Sequence, residues 1–145
     1  MNRPGPGAEG FSLLELLAAT AILAVLASIA LPTYAEYVAR GRRFEARAGL
    51  LEAAHWMERW RTERGRYDDP ASAGQPPAEF PWRQIPRMGD AYYTVSVVAT
   101  AVTYRITATA TRTMASDVCA SLSIDQAGMR SFAGSGSTEE VCWHR

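Results

Sequence analysis

The chain has 145 residues, 48% of them hydrophobic, and carries 15 basic and 15 acidic side chains for a formal net charge of zero. That length allows one domain plus an anchor, and the balanced charge excludes a global field that would gather nucleic acid unaided. All of the basic residues are arginine, and two cysteines permit a single staple.

Residues 1–10, MNRPGPGAEG, do not form an ordinary secretory signal, because the apolar run follows this segment and no A-x-A site comes after that run. Pro4, Gly5, Pro6 and Gly7 favour an extended leader that a protease can hold. Residues 11–31, FSLLELLAATAILAVLASIAL, hold one ionisable side chain, Glu15. A helix of that length spans roughly 31 Å, close to the roughly 30 Å hydrocarbon core of a bilayer. Ala and Leu dominate and neither Gly nor Pro intervenes before Pro32, so the segment reads as a membrane-spanning helix.

Anchoring alone leaves Glu15 unexplained. A carboxylate in lipid costs on the order of 3 kcal/mol, and no Lys, Arg or His lies within residues 11–31 to pair with it. The partner must come from outside the helix, or the proton must stay on. A cut between Gly10 and Phe11 would create an α-amino group about one turn from Glu15. Between helices stacked with a small axial offset, the amine of one could then meet the carboxylate of the next.

Gly10, Phe11 and Glu15, an apolar run ending at Pro32, and then Tyr34 and Tyr37 resemble the processing and polymerisation signature of type IV pilins. The resemblance implies cleavage after Gly10 by a prepilin peptidase, N-methylation of Phe11, and a role for Glu15 in subunit assembly. It also implies partners: other pilins and minor pilins, and an inner-membrane assembly platform. The protein would sit in the inner membrane with a periplasmic C-terminal domain before assembly and in an extracellular pilus afterwards, serving motility and adhesion. Charge counting points the other way, since Arg3 is offset by Glu9 while Arg40, Arg42, Arg43 and Arg47 follow the span. The signature and the distal cysteines favour export.

Pro32 removes one backbone donor and should kink the helix or loosen it at the membrane exit, where the helix need not end. Ala46, Leu50, Ala53, Met57 and Trp60 recur at spacings of four, three, four and three, the period of an amphipathic helix. Residues 32–64 therefore continue the helix, giving roughly 80 Å from Phe11 at 1.5 Å per residue. The Met57 and Trp60 stripe, with Trp56 beside it, reads as core against a sheet rather than a cofactor box. His55 reads as a surface or interface residue, because only His144 could join it and no cysteine or acidic pair has ligand spacing. Between Arg40 and Arg66 eight arginines face four acids, a pattern expected of a solvated or subunit-packing face, with lipid headgroups or DNA as the alternatives.

Residues 65–88 contain Pro70, Pro76, Pro77, Pro81 and Pro86 and read as a long surface loop. Strands are predicted at 92–98 and 104–111, joined as a hairpin, and at 119–124 and 129–132 about a turn at 125–128. In 104–111, Tyr104, Ile106, Ala108 and Ala110 alternate with Arg105 and threonines, so one face is wet. Cys119 and Cys142 enclose 22 residues; in an oxidising compartment their disulfide would contribute roughly 3 kcal/mol. Neither forms a CxxC, and two thiols without histidine make a poor zinc site. Cys119, Leu122, Ile124, Asp125 and Gly128, then a Gly/Ser loop and Cys142-Trp143, resemble the disulfide-bounded tail of PilE-type minor pilins of the type IVa class.

The expected fold is α+β: a long helix, half transmembrane and half amphipathic, packed on a four-stranded antiparallel sheet. Its parts are a leader (1–10), an anchor and polymerisation helix (11–31), the amphipathic continuation (32–64), and the loop, sheet and disulfide-bounded region (65–145). No base stands beside a nucleophile, so no catalytic residue, metal or cofactor is expected. The function implied is that of a minor pilin. A DNA-uptake pilin is one alternative. A type II secretion pseudopilin is another, although Glu139 and Glu140 are sparse for the calcium loop such proteins often carry.

Overall fold

The computed structural model describes residues 12–144, apart from the side chain of Arg112. The chain divides into two compact units, one through Tyr37 and one from Val38. A single helix, α1 (Leu13–Arg64), contributes to both. In the first unit every helical residue is exposed, including Leu13, Leu16, Ile22, Leu26 and Leu31. Helical assignment continues through Pro32.

In the second unit, the head, the predicted stripe is the buried one: Ala46, Leu50, Ala53 and Met57 are fully enclosed and Trp60 nearly so. α1 stops ahead of Gly65, whose N–H still bonds the Arg61 carbonyl at 2.7 Å, with Arg61 and Arg64 placed at the negative end of the helix dipole.

The sheet has five strands rather than the expected four: β1 (Gln84–Ile85), β2 (Tyr93–Ala99), β3 (Tyr104–Ala110), β4 (Ser121–Asp125) and β5 (Arg130–Ala133). They pair in chain order as an antiparallel meander, with Ala108 opposite Val95 on one side and Leu122 on the other. The fifth strand is β1, inside the proline-rich loop. In it Ile85 packs against α1 at Gly49, where a Cβ would lie only 2.9 Å from the Ile85 Cδ1. A glycine in the helix thus lets the loop approach closely enough to pair Gln84 with Thr94 and Ile85 with Tyr93. The other strands sit within one or two residues of their expected bounds.

Alternation in β3 is as expected, with Tyr104, Ile106 and Ala108 buried toward α1. The opposite face of the sheet carries hydroxyls in register, Ser96 beside Thr107, Ser123 and Ser131, with Ser123 and Ser131 hydrogen-bonded at 2.8 Å. After β5 the chain runs to a one-turn helix, Glu140–His144, that buries Cys142 and Trp143.

Candidate functional site

Two features carry functional weight, one in each unit. In the first unit the helix start is built by Ser12, whose Oγ accepts the Leu14 N–H at 3.3 Å and whose carbonyl accepts the Leu16 N–H at 3.1 Å. Glu15 stands three residues after this cap, in the first turn, where the orphan N–H groups and the dipole favour an acid. The Ser12-x-x-Glu15 spacing was readable in the sequence and gives Glu15 a local structural role beside any intersubunit one. No cation pairs with it among the described residues. Gly10 and Phe11, with the cleavage and N-methylation expected there, and the rest of the leader lie outside the described residues. The apolar stretch that follows is the one helix among the described residues long and apolar enough to cross a membrane.

In the head the two cysteines are brought together: Cys119 and Cys142 form a disulfide, their Cα atoms 5.8 Å apart. Ser137 Oγ lies 3.0 Å from the Cys142 sulfur. Next to it is a feature that charge counting missed. The Arg43 side chain is 1% exposed and the Asp117 side chain 4%, and they form an ion pair, Nη2 to Oδ2 at 2.9 Å and Nε to the two carboxylate oxygens at 3.1 and 3.0 Å. Asp117 Oδ1 also accepts the Cys119 N–H at 2.9 Å. One carboxylate therefore joins α1 to the disulfide corner.

Most of the remaining arginine stripe is engaged with the head's own rings and carbonyls rather than lying free in solvent. The Arg42 guanidinium lies 4.4 Å from the centre of the Tyr92 ring and donates to the Thr113 carbonyl at 3.1 Å. Arg61 donates to the Tyr67 hydroxyl at 3.0 Å, which in turn donates to Glu58. Arg64 covers Trp60, and Arg66 pairs with Asp68. Such stacking contributes about 0.5–1 kcal/mol per exposed pair and covers aromatic edges that would otherwise meet water. Burial, then the nearby charge of Arg43, lowers the pKa of Arg47; the hydrogen bond from Arg66 holds the Asp68 carboxyl below the usual carboxylate range.

Trp56 stacks on Trp60 with centroids 5.4 Å apart and meets Phe80 edge-on, so it belongs to the packing between α1 and the loop. His55 is exposed on the wall of an open groove of about 620 Å³, with Glu52, Glu58, Arg59, Thr62 and Trp82.

Tyr93 is fully enclosed, and its hydroxyl meets no partner among the described residues. Burial, reinforced by Asp117, pushes its pKa from 10.0 up to about 12. A folded value above the unfolded one stabilises the fold fully below pH 10, and that contribution is lost as pH rises toward 12. Tyr93→Phe is accordingly expected to leave stability at pH 7 within about 1 kcal/mol of the parent, because no made hydrogen bond is lost. It should also reduce the alkaline loss, which urea titrations at pH 8 and pH 11 would measure.

A helix long and apolar enough to cross a membrane, continuing into an α+β head closed by a disulfide, is consistent with a membrane-anchored class of subunit. A sequence profile for the family described as "Type IV minor pilin ComP, DNA uptake sequence receptor" matches residues 32–123. The chain belongs to this type IV minor pilin family. It is 33% identical over 69 residues to the type IV major pilin protein PilA of Myxococcus xanthus (strain DK1622), a match covering 48% of this chain and 31% of that protein. Over 38 residues it is 53% identical to the fimbrial protein EcpC of Eikenella corrodens, covering 26% of this chain and 25% of that one. The chain thus spans about a third or less of the length of these curated relatives. A solved type IV pilin from Shewanella oneidensis aligns with a TM-score of 0.48 at 27% identity, over 74% of this chain and 99% of that one.

Proposed function

We propose that this chain acts as a structural subunit of a type IV pilus and not as an enzyme. In this reading a prepilin peptidase cuts after Gly10 and Phe11 is N-methylated. The helix waits in the inner membrane with its head in the periplasm until the assembly platform moves it into the filament. There Glu15 meets the free amine of a neighbouring pilin, and Pro32 lets the helix bend where it leaves the apolar bundle. Motility and adhesion follow from the filament as a whole.

The observation that carries the reading is the apolar part of α1, residues 13–31, with all its large side chains exposed and a lone acid in the first turn, in a chain of the minor pilin family. A surface of that kind is stable only in lipid or against other helices. Glu15→Ala is expected to keep or improve membrane insertion yet abolish incorporation into sheared filaments, as read by immunoblotting both fractions. Parental levels of Glu15→Ala in filaments would refute the pairing. Intact mass of the native protein gives a separate check, since a chain still beginning at Met1 has no Phe11 amine to offer.

A second reading, favoured by the family's description as a DNA uptake sequence receptor, is that the head binds DNA. The arginines that would reach phosphates are the exposed ones, among them Arg59, Arg83, Arg87, Arg105 and Arg130. Retention of duplex DNA should then fall steeply with salt, log K against log[salt] having a slope of about −0.9 for each phosphate neutralised. Retention without salt dependence would dismiss it.

A further inference from the structure

Three consecutive residues, Asp117, Val118 and Cys119, tie separate parts of the head together. Asp117 receives Arg43 from α1. The Val118 carbonyl is the atom on which Gly134 closes, leaving no room for a Cβ there. Cys119 is bonded to Cys142, and the following Trp143 is buried, its indole N–H donating to the Ser131 carbonyl at 3.0 Å. The corner itself has little backbone support from the sheet. Its N–H groups bond locally, Met114 to Thr111 and Asp117 to Met114, before Ala110 and Ala120 resume the ladder. Its position therefore depends on side-chain ties, of which the disulfide is the covalent one.

A buried ion pair is favourable only while its geometry is tight, because desolvation of both charges opposes the attraction. The Asp117 carboxylate takes its orientation partly from the Cys119 N–H. We propose that the grip of α1 on this corner is conditional on oxidation: with Cys119 and Cys142 bonded the Arg43–Asp117 pair is closed, and on reduction it opens while the five-stranded sheet stays folded. The reductant is a dithiol. One of its thiolates attacks a cystine sulfur to give a mixed disulfide, and its second thiol displaces that bond. Two electrons and two protons end on Cys119 and Cys142, and the reagent leaves as its own disulfide. The inference does not depend on the pilus reading.

The test uses the full chain in non-ionic detergent with 15N-labelled arginine, following hydrogen exchange at the Arg43 Nε–H. It is expected to exchange slowly in the oxidised protein and at least about tenfold faster after dithiothreitol, while the Ile106 and Ala108 amides of β3 keep their protection. Cys119→Ser with Cys142→Ser should reproduce the change without reductant. In addition, Asp117→Asn should lower the urea midpoint strongly in the oxidised parent and much less in the double-serine background. Retained Arg43 protection after reduction would overturn the proposal. So would its loss together with Ile106, because the bond would then hold the whole head, or an equal effect of Asp117→Asn in both backgrounds.

Discussion

Arg43→Ala is expected to destabilise the head by about 3–5 kcal/mol, since it strands a carboxylate that is 96% enclosed. Asp117 would be left with only the Cys119 N–H among the contacts described above. The pair itself need not be a net gain. Replacing both partners with apolar residues of similar volume, Arg43→Met with Asp117→Leu, should recover most of the loss. Urea unfolding followed by tryptophan fluorescence would measure both, and the asymmetry is the informative part. A single substitution costing under about 1 kcal/mol would mean the pair is open in solution, as an exposed bridge would be.

Gly134→Ala is expected to have the next largest effect. An alanine Cβ would overlap the backbone carbonyl of Val118, and backbone cannot rotate aside as a side chain does. The strain falls on the segment that carries the disulfide, so the cost should be about 2–3 kcal/mol, in the range of overpacked sites. Gly136→Ala makes a useful comparison: nothing lies near its Cβ, but its φ of +70° is costly for any other residue. The two should differ in how they fail. Gly134→Ala should slow or reduce formation of Cys119–Cys142, measurable by thiol labelling, whereas Gly136→Ala should lower stability with the bond intact.

What could be read from the sequence was whatever repeats at short range. The four-three spacing from Ala46 to Trp60 identifies a helix and its buried face together, and the strict alternation of 104–111 does the same for β3. β1 escaped because two residues among prolines have no period; it is a strand through its pairing with β2, while Ile85 packs on α1 at Gly49. Arg43 escaped for a related reason. Counted with seven other arginines it looks like part of a solvated face, and the acid that buries it lies 74 residues further along. The disulfide was accessible because two cysteines leave a single pairing. Glu15 stands out as the only charge in an apolar run, while its placement behind Ser12 at the head of α1 rests on a three-residue spacing that is easily lost beside that run.

The meander has a consequence for how the head comes into being. Because each strand's partner is its immediate predecessor, a chain emerging from its N-terminal side can finish one hairpin before the next is available, with no crossover to wait for. Cys119 is the exception: it must stay unpaired until Cys142 arrives, so covalent closure of the head waits for the tail.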